Sequence, residues 1–363
     1  MLSKFKRNAK SLIFYFLIIL GIYWLISFIE INKFKQSVEV VSRTLNITEN
    51  GTEKMITKNT LDIIREQEYL QKIKKSKFLF IGGFPKSGTT LLRSIMDVHD
   101  SISCGPDPHY LPEFLNFFPY LNEDFQYDDV NRIFIYFVLK KHFNSFDLGR
   151  KISLPKKIDR KNTILCLKEP SLLFHFKYLN QLFPKSKIVY LVRDGRDVAF
   201  SLIQSLGLDR VNENFMTILK LWNDFNEIAY EQCNLIGSNC IMIKYEDLIE
   251  SRVKNIRIIL GALEIKYMRE MLHHEDFINK RIFFEINDQS AIEVIEKINQ
   301  DFVKKWIGQI EYDKTFVNNT INMLNKLGYK INFNDENDGK NNFVQVSNNS
   351  EIISYEKLKK LLI

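Results

Sequence analysis

The sequence predicts an α/β fold, a three-layer sandwich in which helices cover both faces of a central parallel sheet. The first observation is that helical patterns separate four short apolar runs: KFLFI (77–81), TILCL (163–167), KIVYLV (187–192) and CIMIKY (240–245). The second is that charged or hydroxyl-bearing residues follow these runs. Because ligands bind beyond the carboxyl ends of the strands in open α/β sheets, these polar residues should converge on one crevice.

The first apolar run leads into a glycine-rich loop and then an amphipathic helix, in FLFIGGFPKSGTTLLRSIMDVHD (78–100). Backbone amides at a helix N-terminus, together with the helix dipole, favour a bound anion, and a glycine lets the backbone approach it closely. The residues that would hold the anion are a cation, a glycine and three hydroxyl-bearing residues, namely Lys86, Gly88, Ser87, Thr89 and Thr90. The alternative is a plain strand-to-helix turn with a capping serine.

This loop differs from the loop that binds nucleoside triphosphates. That motif, G-x-x-x-x-G-K-[ST], places a lysine directly after its last glycine. Here Thr89 follows Gly88, and the lysine, Lys86, comes two residues before that glycine. The sequence also shows no Ser/Thr and Asp pair of the kind that holds magnesium. A group held without a metal fits better, and a sulfuryl group meets that condition because it carries less charge than a terminal phosphoryl group.

The N-terminal part of the chain predicts a membrane anchor. Residues 11–29 carry no charge and are long enough to cross a bilayer, whereas a cleaved signal peptide would have a shorter apolar region and a small-residue cleavage site. Four cations lie in residues 1–10, so the positive-inside rule places that tail in the cytosol and the rest of the chain in the lumen. Residues 30–76 predict a polar lumenal stem with glycosylation sequons at Asn46 and Asn50.

The globular part of the chain is predicted to span residues 77–333. Residues 334–363 are rich in asparagine and predict a loose polar tail. The net charge of the whole chain is +7, but four positive charges lie in residues 1–10. The remaining excess is too small to indicate nucleic-acid binding.

The chain has four cysteines, Cys104, Cys166, Cys233 and Cys240. An even number in an oxidising compartment favours two disulfides. Cys233 and Cys240 bracket a short polar turn and are expected to pair, which leaves Cys104 with Cys166. Four buried thiols are the alternative. A zinc site is disfavoured because the sequence has no C-x-x-C pair and no clustered histidines.

The motifs occur in an order that resembles a known family. PKSGTT followed by a helix resembles the 5′-phosphosulfate loop of sulfotransferases, and KIVYLVRDGRDVAFS resembles their 3′-phosphate motif. Together with LCLKEP, KYEDLI, LHHED and KWIG, these motifs follow the order and approximate spacing of protein-tyrosine sulfotransferases over residues 77–332. The LHHED and KWIG segments and the cysteine positions indicate this branch of the family.

The resemblance implies a reaction and a role for each matching residue. The donor would be 3′-phosphoadenylyl sulfate (PAPS), used without a metal, and the acceptor would be a tyrosine in a secretory protein. The residues implied for the nucleotide are Lys86, Ser87, Gly88, Thr89, Thr90, Arg193, Ser201, Tyr245 and Lys305. Those implied for the sulfuryl group in transfer are Lys86, Lys168 and Ser290. Arginine can meet a phosphate bidentately, in agreement with a 3′-phosphate role for Arg193.

The sequence departs from the family at the expected catalytic base. A phenol with a pKa of about 10 must lose its proton during attack, and the family uses a glutamate in the pattern C-G-E-E-T-R. Here CGPDPHYLPE (104–113) places Asp107 at that position, with a side chain about 1.5 Å shorter and prolines that change the backbone path. His109, in place of an arginine, is the alternative base. A third possibility is that neither acts and that activity is reduced or altered.

Two further positions differ from the family pattern. Lys86 stands where close relatives have arginine, a change that keeps the charge and that cytosolic sulfotransferases share. Ser205 stands where the family has a second arginine for the 3′-phosphate. The loss of one charge-assisted phosphate contact would weaken donor binding by about 1.5–3 kcal/mol.

The resulting hypothesis is a single-pass type II Golgi membrane enzyme. It would sulfate tyrosines in an acidic context in secretory or membrane proteins, and by resemblance to the family it would form a homodimer. One alternative is a Golgi carbohydrate sulfotransferase with the same donor. Another is a lumenal PAPS-binding relative that has lost catalysis, and the least favoured is an ATP-dependent kinase.

Overall fold

The computed structural model describes residues 77–104, 163–208, 211–284, 294–295, 303–329, 331 and 354–362. The predicted membrane anchor at 11–29 and the stem at 30–76 lie outside these ranges. Within the described ranges, no helix is both long enough and apolar enough to cross a bilayer.

Five parallel strands form the central sheet of the described domain. In chain order they are β1 (Phe78–Gly82), β2 (Ile102–Cys104), β3 (Ile164–Lys168), β4 (Lys187–Val192) and β5 (Cys240–Lys244). Their order across the sheet is β2-β3-β1-β4-β5, which places β1 at the centre. The predicted α/β fold with a parallel sheet is confirmed, and the four apolar runs correspond to β1, β3, β4 and β5. The three-residue strand β2 was not predicted.

Nine α-helices accompany the sheet in the part of the chain that the structure describes. They are α1 (Thr89–Asp97), α2 (Phe176–Leu182), α3 (Gly195–Leu206), α4 (Val211–Ile236), α5 (Tyr245–Glu250), α6 (Arg252–Ala262), α7 (Lys314–Thr320), α8 (Asn322–Lys326) and α9 (Tyr355–Leu362). Short 3₁₀ segments occupy Pro170–Phe174, Gly237–Asn239, Arg269–Leu272 and His274–Phe277.

The central strand β1 is buried on both faces, which explains its uninterrupted apolar sequence. Phe80 belongs to a core that includes Trp222 of α4, whereas its neighbour Ile81 belongs to a second core that includes Ile95 of α1. Because successive side chains of a strand point to opposite faces, helices cover both sides of the sheet. The domain therefore has the predicted three layers.

The carboxyl ends of the three central strands meet at one edge of the sheet. β1 leads into the glycine-rich loop, β3 ends at Lys168, and Arg193 directly follows β4. Strand β3 lies on one side of β1 and strand β4 on the other. The topological switch point, where open α/β sheets bind ligands, is therefore at this edge.

The C-terminal region differs from the sequence prediction, because α9 lies within the predicted loose tail. Leu358 of this helix is buried in the core that contains Trp222, and the Tyr355 hydroxyl donates to Asp224 Oδ2 at 2.8 Å. The helical spacing of the apolar residues is confined to one short segment. The asparagine-rich residues before it dominate the composition, so the helix was not predicted.

Two disulfides are present, and both agree with the predicted pairing. Cys104–Cys166 joins the neighbouring strands β2 and β3, in which the two residues are directly paired. Cys233–Cys240 joins the end of α4 to the start of β5. The first bond closes a separation of 62 residues and the second a separation of 7 residues.

We expect the two disulfides to contribute unequally to stability. A cross-link restricts the unfolded chain more when it closes a longer loop, which gives about 4 kcal/mol for Cys104–Cys166 and about 2 kcal/mol for Cys233–Cys240. Replacing each pair by alanine and measuring the free energy of unfolding in urea tests this difference. Equal losses would show that packing in the folded state, rather than loop length, sets each contribution.

Candidate active site

The loop between β1 and α1 has the backbone geometry of an anion site. Lys86 and Gly88 both adopt a left-handed conformation, with φ of 67° and 91°, and the Ser87 amide donates to the Phe84 carbonyl at 3.0 Å. A lysine adopts this conformation at a cost of about 1–2 kcal/mol, and such strain is concentrated at functional sites. Gly88 is the N-cap of α1 and provides no side-chain cap. The first amides of α1 can therefore donate to a bound anion.

The ring of Tyr245 packs directly against this loop. A Cβ added to Gly88 would lie 2.4 Å from Cδ2 of Tyr245, so only glycine fits at this position. The guanidinium of Arg193 lies 4.7 Å from the centroid of the same ring, and its Nη1 donates to the Lys86 carbonyl at 3.0 Å. The ring, the guanidinium and the loop backbone thus hold one another in place.

A cavity of about 270 Å³ opens beside the loop. Eight of the residues predicted to bind the nucleotide line it: Lys86, Gly88, Thr89, Thr90, Arg193, Ser201, Tyr245 and Lys305. They come from the loop after β1, from the β4–α3 connection and α3 itself, from the start of α5, and from the segment before α7. The sheet topology therefore brings together predicted residues that are far apart in the sequence.

The lining of the cavity is basic. Lys86, Arg193 and Lys305 contribute three cations, and none of the described lining residues is an aspartate or a glutamate. Threonine and serine hydroxyls add further hydrogen-bond donors. A ligand with several negative charges suits this lining, with one anionic group at the N-terminus of α1 and another at Arg193. Among the described residues, no cluster of His, Cys, Asp and Glu has the arrangement of a metal site.

Lys168 contacts Thr90, one of the residues that line the cavity. Lys168 is the last residue of β3, and 2% of it is exposed. Its Nζ donates to Oγ1 of Thr90 at 3.1 Å, and Thr90 lines the cavity. The ammonium group therefore lies directly behind the anion loop, where it can stabilise negative charge that develops in the cavity.

Ser87 is the one predicted nucleotide contact that is absent from the described lining. Its side chain is fully buried, and its Oγ has no hydrogen-bond partner among the described residues. Conversely, Leu91, Gln204 and Val294 line the cavity although they were not predicted. Gln204 follows Ser201 by three positions on α3, a spacing that places both on one helix face and could have identified it.

Ser205 also lines the cavity, at the position where the family has arginine. Its Oγ donates to the Leu202 carbonyl at 3.1 Å. Because this hydroxyl bonds within α3, it replaces neither the charge nor the paired donors of an arginine.

The carboxylate of Glu246 links two segments that contribute residues to the cavity. Glu246, which follows Tyr245, accepts hydrogen bonds from the Asp194 amide at 3.0 Å and from the Tyr329 hydroxyl at 2.8 Å. Burial raises the pKa of Glu246, and these hydrogen bonds oppose the shift. The contacts tie the start of α5 to the β4–α3 connection, which keeps Tyr245 against Arg193.

Three predicted catalytic residues, Asp107, His109 and Ser290, lie outside the described ranges. Two described residues lie close to them in the chain. Cys104 ends β2, three residues before Asp107, and Val294, four residues after Ser290, lines the cavity.

The fold and the basic cavity at a strand–loop–helix junction define a class of protein, the sulfotransferases. The sequence model of the sulfotransferase family matches residues 79–269. The fold is similar to that of the sulfotransferase domain from the Synechococcus PCC 7002 olefin synthase, with a TM-score of 0.50 and 18% identity over 71% of this chain and 97% of that one. The protein is a sulfotransferase.

Similar protein sequences identify the branch. Protein-tyrosine sulfotransferase A of Caenorhabditis elegans is 31% identical over 273 residues, which cover 73% of this chain and 70% of that protein. Protein-tyrosine sulfotransferase 1 of Danio rerio is 30% identical over 278 residues, which cover 74% of this chain and 76% of that protein. The chain belongs to the protein-tyrosine sulfotransferase family, as its motifs predicted.

Gly88→Ala is expected to weaken the binding of 3′,5′-ADP, the nucleotide that PAPS leaves after it gives up its sulfuryl group, by about tenfold or more. The added Cβ would collide with the Tyr245 ring, and alanine is strained at a φ of 91°. Calorimetric titration measures the affinity, and thermal unfolding measures stability.

Gly207→Ala is the matched control for this variant. Gly207 also has a positive φ, 59°, but nothing lies within 4 Å of an added Cβ. We expect this variant to lose about 1–2 kcal/mol of stability and to keep its affinity for 3′,5′-ADP. Equal affinities of the two variants would show that the contact between Gly88 and Tyr245 is not needed for binding.

Proposed function

We propose that the protein transfers a sulfuryl group from PAPS to the phenolic oxygen of tyrosine residues in secretory or membrane proteins. The observation that carries the proposal is the basic cavity at the N-terminus of α1, with Lys168 behind it. Its two anion positions suit the two ends of one nucleotide. The loop at 86–90 would hold the 5′-phosphosulfate, and Arg193 with Ser201 would hold the 3′-phosphate. Membership of the protein-tyrosine sulfotransferase family supports tyrosine as the acceptor.

In the proposed reaction, the phenolic oxygen attacks sulfur while the bond from sulfur to the bridging oxygen of the 5′-phosphate breaks. The phenolic proton passes to a base, and 3′,5′-ADP leaves. Negative charge grows on the bridging oxygen, where fixed donors and cations stabilise it most effectively. Lys86, Lys168 and the Thr90 hydroxyl would meet this charge, and Ser290 would add a further donor.

Asp107 is the proposed base, and His109 is the alternative. Support comes from the chain path, because Asp107 follows Cys104 by three residues. Cys104 is bonded to Cys166, which lies two residues before Lys168 on the neighbouring strand. The described part of β2 therefore ends beside β3, the strand that carries the proposed sulfuryl-stabilising lysine.

We also propose a lumenal catalytic domain on a single-pass type II Golgi membrane protein. The uncharged residues 11–29 with cations before them support the topology. The two disulfides support the compartment, because such bonds form and persist in oxidising environments. The preference for acidic residues around the tyrosine, and a homodimer, are proposed from the resemblance to the family.

Radiolabelled PAPS with a tyrosine peptide rich in acidic residues tests the function, and we expect the label on tyrosine. Lys168→Ala is expected to lower kcat by about 10²–10³-fold because it removes a buried cation beside the transferred group. Lys326→Ala is the matched control, since it removes only an exposed ion pair with Glu227, and it should keep full activity.

Other outcomes of this assay distinguish the alternatives. Label on a glycan and none on tyrosine would identify a carbohydrate sulfotransferase with the same donor. Tight binding of 3′,5′-ADP without transfer to any acceptor would identify a relative that has lost catalysis. Turnover of ATP with magnesium would identify a kinase.

Asp107→Asn is expected to lower kcat by about 10²–10⁴-fold, because the amide cannot accept the phenolic proton. His109→Gln should retain most of the activity under the same conditions. The reverse pattern would assign the base to His109, and full activity of both variants would exclude both residues. Binding of 3′,5′-ADP serves as the control, because neither residue is proposed to contact the nucleotide.

A further inference from the structure

A buried aspartate on α3 holds the segment that carries Lys305. Asp197 is fully buried, and its Oδ2 accepts a hydrogen bond from the Lys304 amide at 2.7 Å. Asp197 lies one helical turn after Arg193 and interacts electrostatically with it. One carboxylate thus lies between two parts of the chain that each supply a cation to the cavity.

The segment that Asp197 holds has an unusual backbone conformation. Lys304 has a φ of 61°, a left-handed conformation that is unfavourable for a non-glycine residue. Such a conformation persists only where the surrounding structure fixes it. The hydrogen bond from the Lys304 amide to Asp197 provides this restraint, because it acts on the residue with the left-handed backbone.

The residue after Lys305, Trp306, packs against the first turn of α3, the turn that also contains Asp197. Trp306 is buried, and the Arg196 guanidinium lies 4.4 Å from the centroid of its ring. Arg196 is fixed in turn by two hydrogen bonds to the Asp194 carboxylate, at 2.8 and 3.0 Å. The residues on either side of Lys305 are therefore held by the first turn of α3, while Lys305 itself is exposed and lines the cavity.

We propose that Asp197 is a positioning residue of the donor site, which fixes the position of Lys305 and thereby raises the affinity for the nucleotide. Asp197 is not among the residues that line the cavity, so it acts through the Lys304 backbone and not by touching the donor. The inference rests on the proposed function, in which Lys305 contacts PAPS.

Two possible roles of Asp197 predict changes of opposite sign. If Asp197 acted only as a nearby negative charge, its repulsion would oppose an anionic nucleotide, and Asp197→Ala would tighten the binding of 3′,5′-ADP. If Asp197 positions Lys305, the same variant weakens binding by about tenfold, because the restraint on Lys304 is lost. The direction of the change therefore separates the two roles.

The experiment measures the Kd of 3′,5′-ADP by calorimetry for the full chain and for three variants: Asp197→Ala, Lys305→Ala and the double variant. We expect each single substitution to weaken binding by about tenfold. The double variant should be at most about threefold weaker than either single one, because Lys305 is already displaced when Asp197 is changed. Losses that multiply would show that Asp197 does not act through Lys305.

Asp313→Ala is the matched control. Asp313 also accepts a hydrogen bond from a backbone amide, that of Phe316 at 2.9 Å, where it caps α7, and it does not line the cavity. Its replacement should leave the Kd unchanged. Should Asp197→Ala not fold, Asp197→Glu keeps the charge and displaces the carboxylate by one methylene, and it is expected to weaken binding as well.

Unchanged or tighter binding by the Asp197 variant would overturn the inference while leaving the proposed function intact. Wild-type protein that binds no 3′,5′-ADP would instead reject the proposed function, and the inference with it. Thermal unfolding of each variant without nucleotide confirms that the affinities are those of folded protein.

Discussion

The left-handed turn at residues 86–88 is the constraint on which the site depends. Only a glycine fits beneath the Tyr245 ring, and α1 begins at the next residue. Because α1 begins there, its first amides lie at the carboxyl edge of β1, beside Lys168 at the end of β3 and Arg193 after β4. If the turn opened, the same loop would no longer hold the N-terminus of α1, the Tyr245 ring and the Arg193 guanidinium together.

Positive and negative side chains also occupy different parts of the site. The cations line the cavity, whereas the carboxylates of Asp194, Asp197 and Glu246 lie behind it and are engaged by a guanidinium, by backbone amides or by a tyrosine hydroxyl. Burial raises the pKa of Asp197 and of Glu246. Removing a carboxylate from water is unfavourable unless hydrogen bonds compensate it. These carboxylates therefore fix the backbone beneath the cavity while its surface remains positive.

Local patterns in the sequence predicted most of the sheet and the anion loop, because apolar runs and loop chemistry depend on neighbouring residues. Sequence patterns failed to predict elements whose formation depends on tertiary contacts. Strand β2 has three residues, too few for periodicity, and α9 becomes evident through contacts such as that of Tyr355 with Asp224. Spacing alone also could not show that the Ser87 side chain lies inside the protein, or that Lys168 donates a hydrogen bond to Thr90. Those facts depend on how separate elements pack.

The disulfide between Cys104 and Cys166 lies close in the chain to Asp107, the proposed base. Three residues separate Cys104 from Asp107, and an extended chain of three residues spans at most about 11 Å. Cys166 lies two residues before Lys168 on β3, so the disulfide joins Cys104 to the strand that bears Lys168. In the reduced protein, only the pairing of β2 with β3 would hold Cys104 beside that strand. With Asp107 as the proposed base, this cysteine pair would therefore support the geometry of proton transfer as well as the stability of the fold.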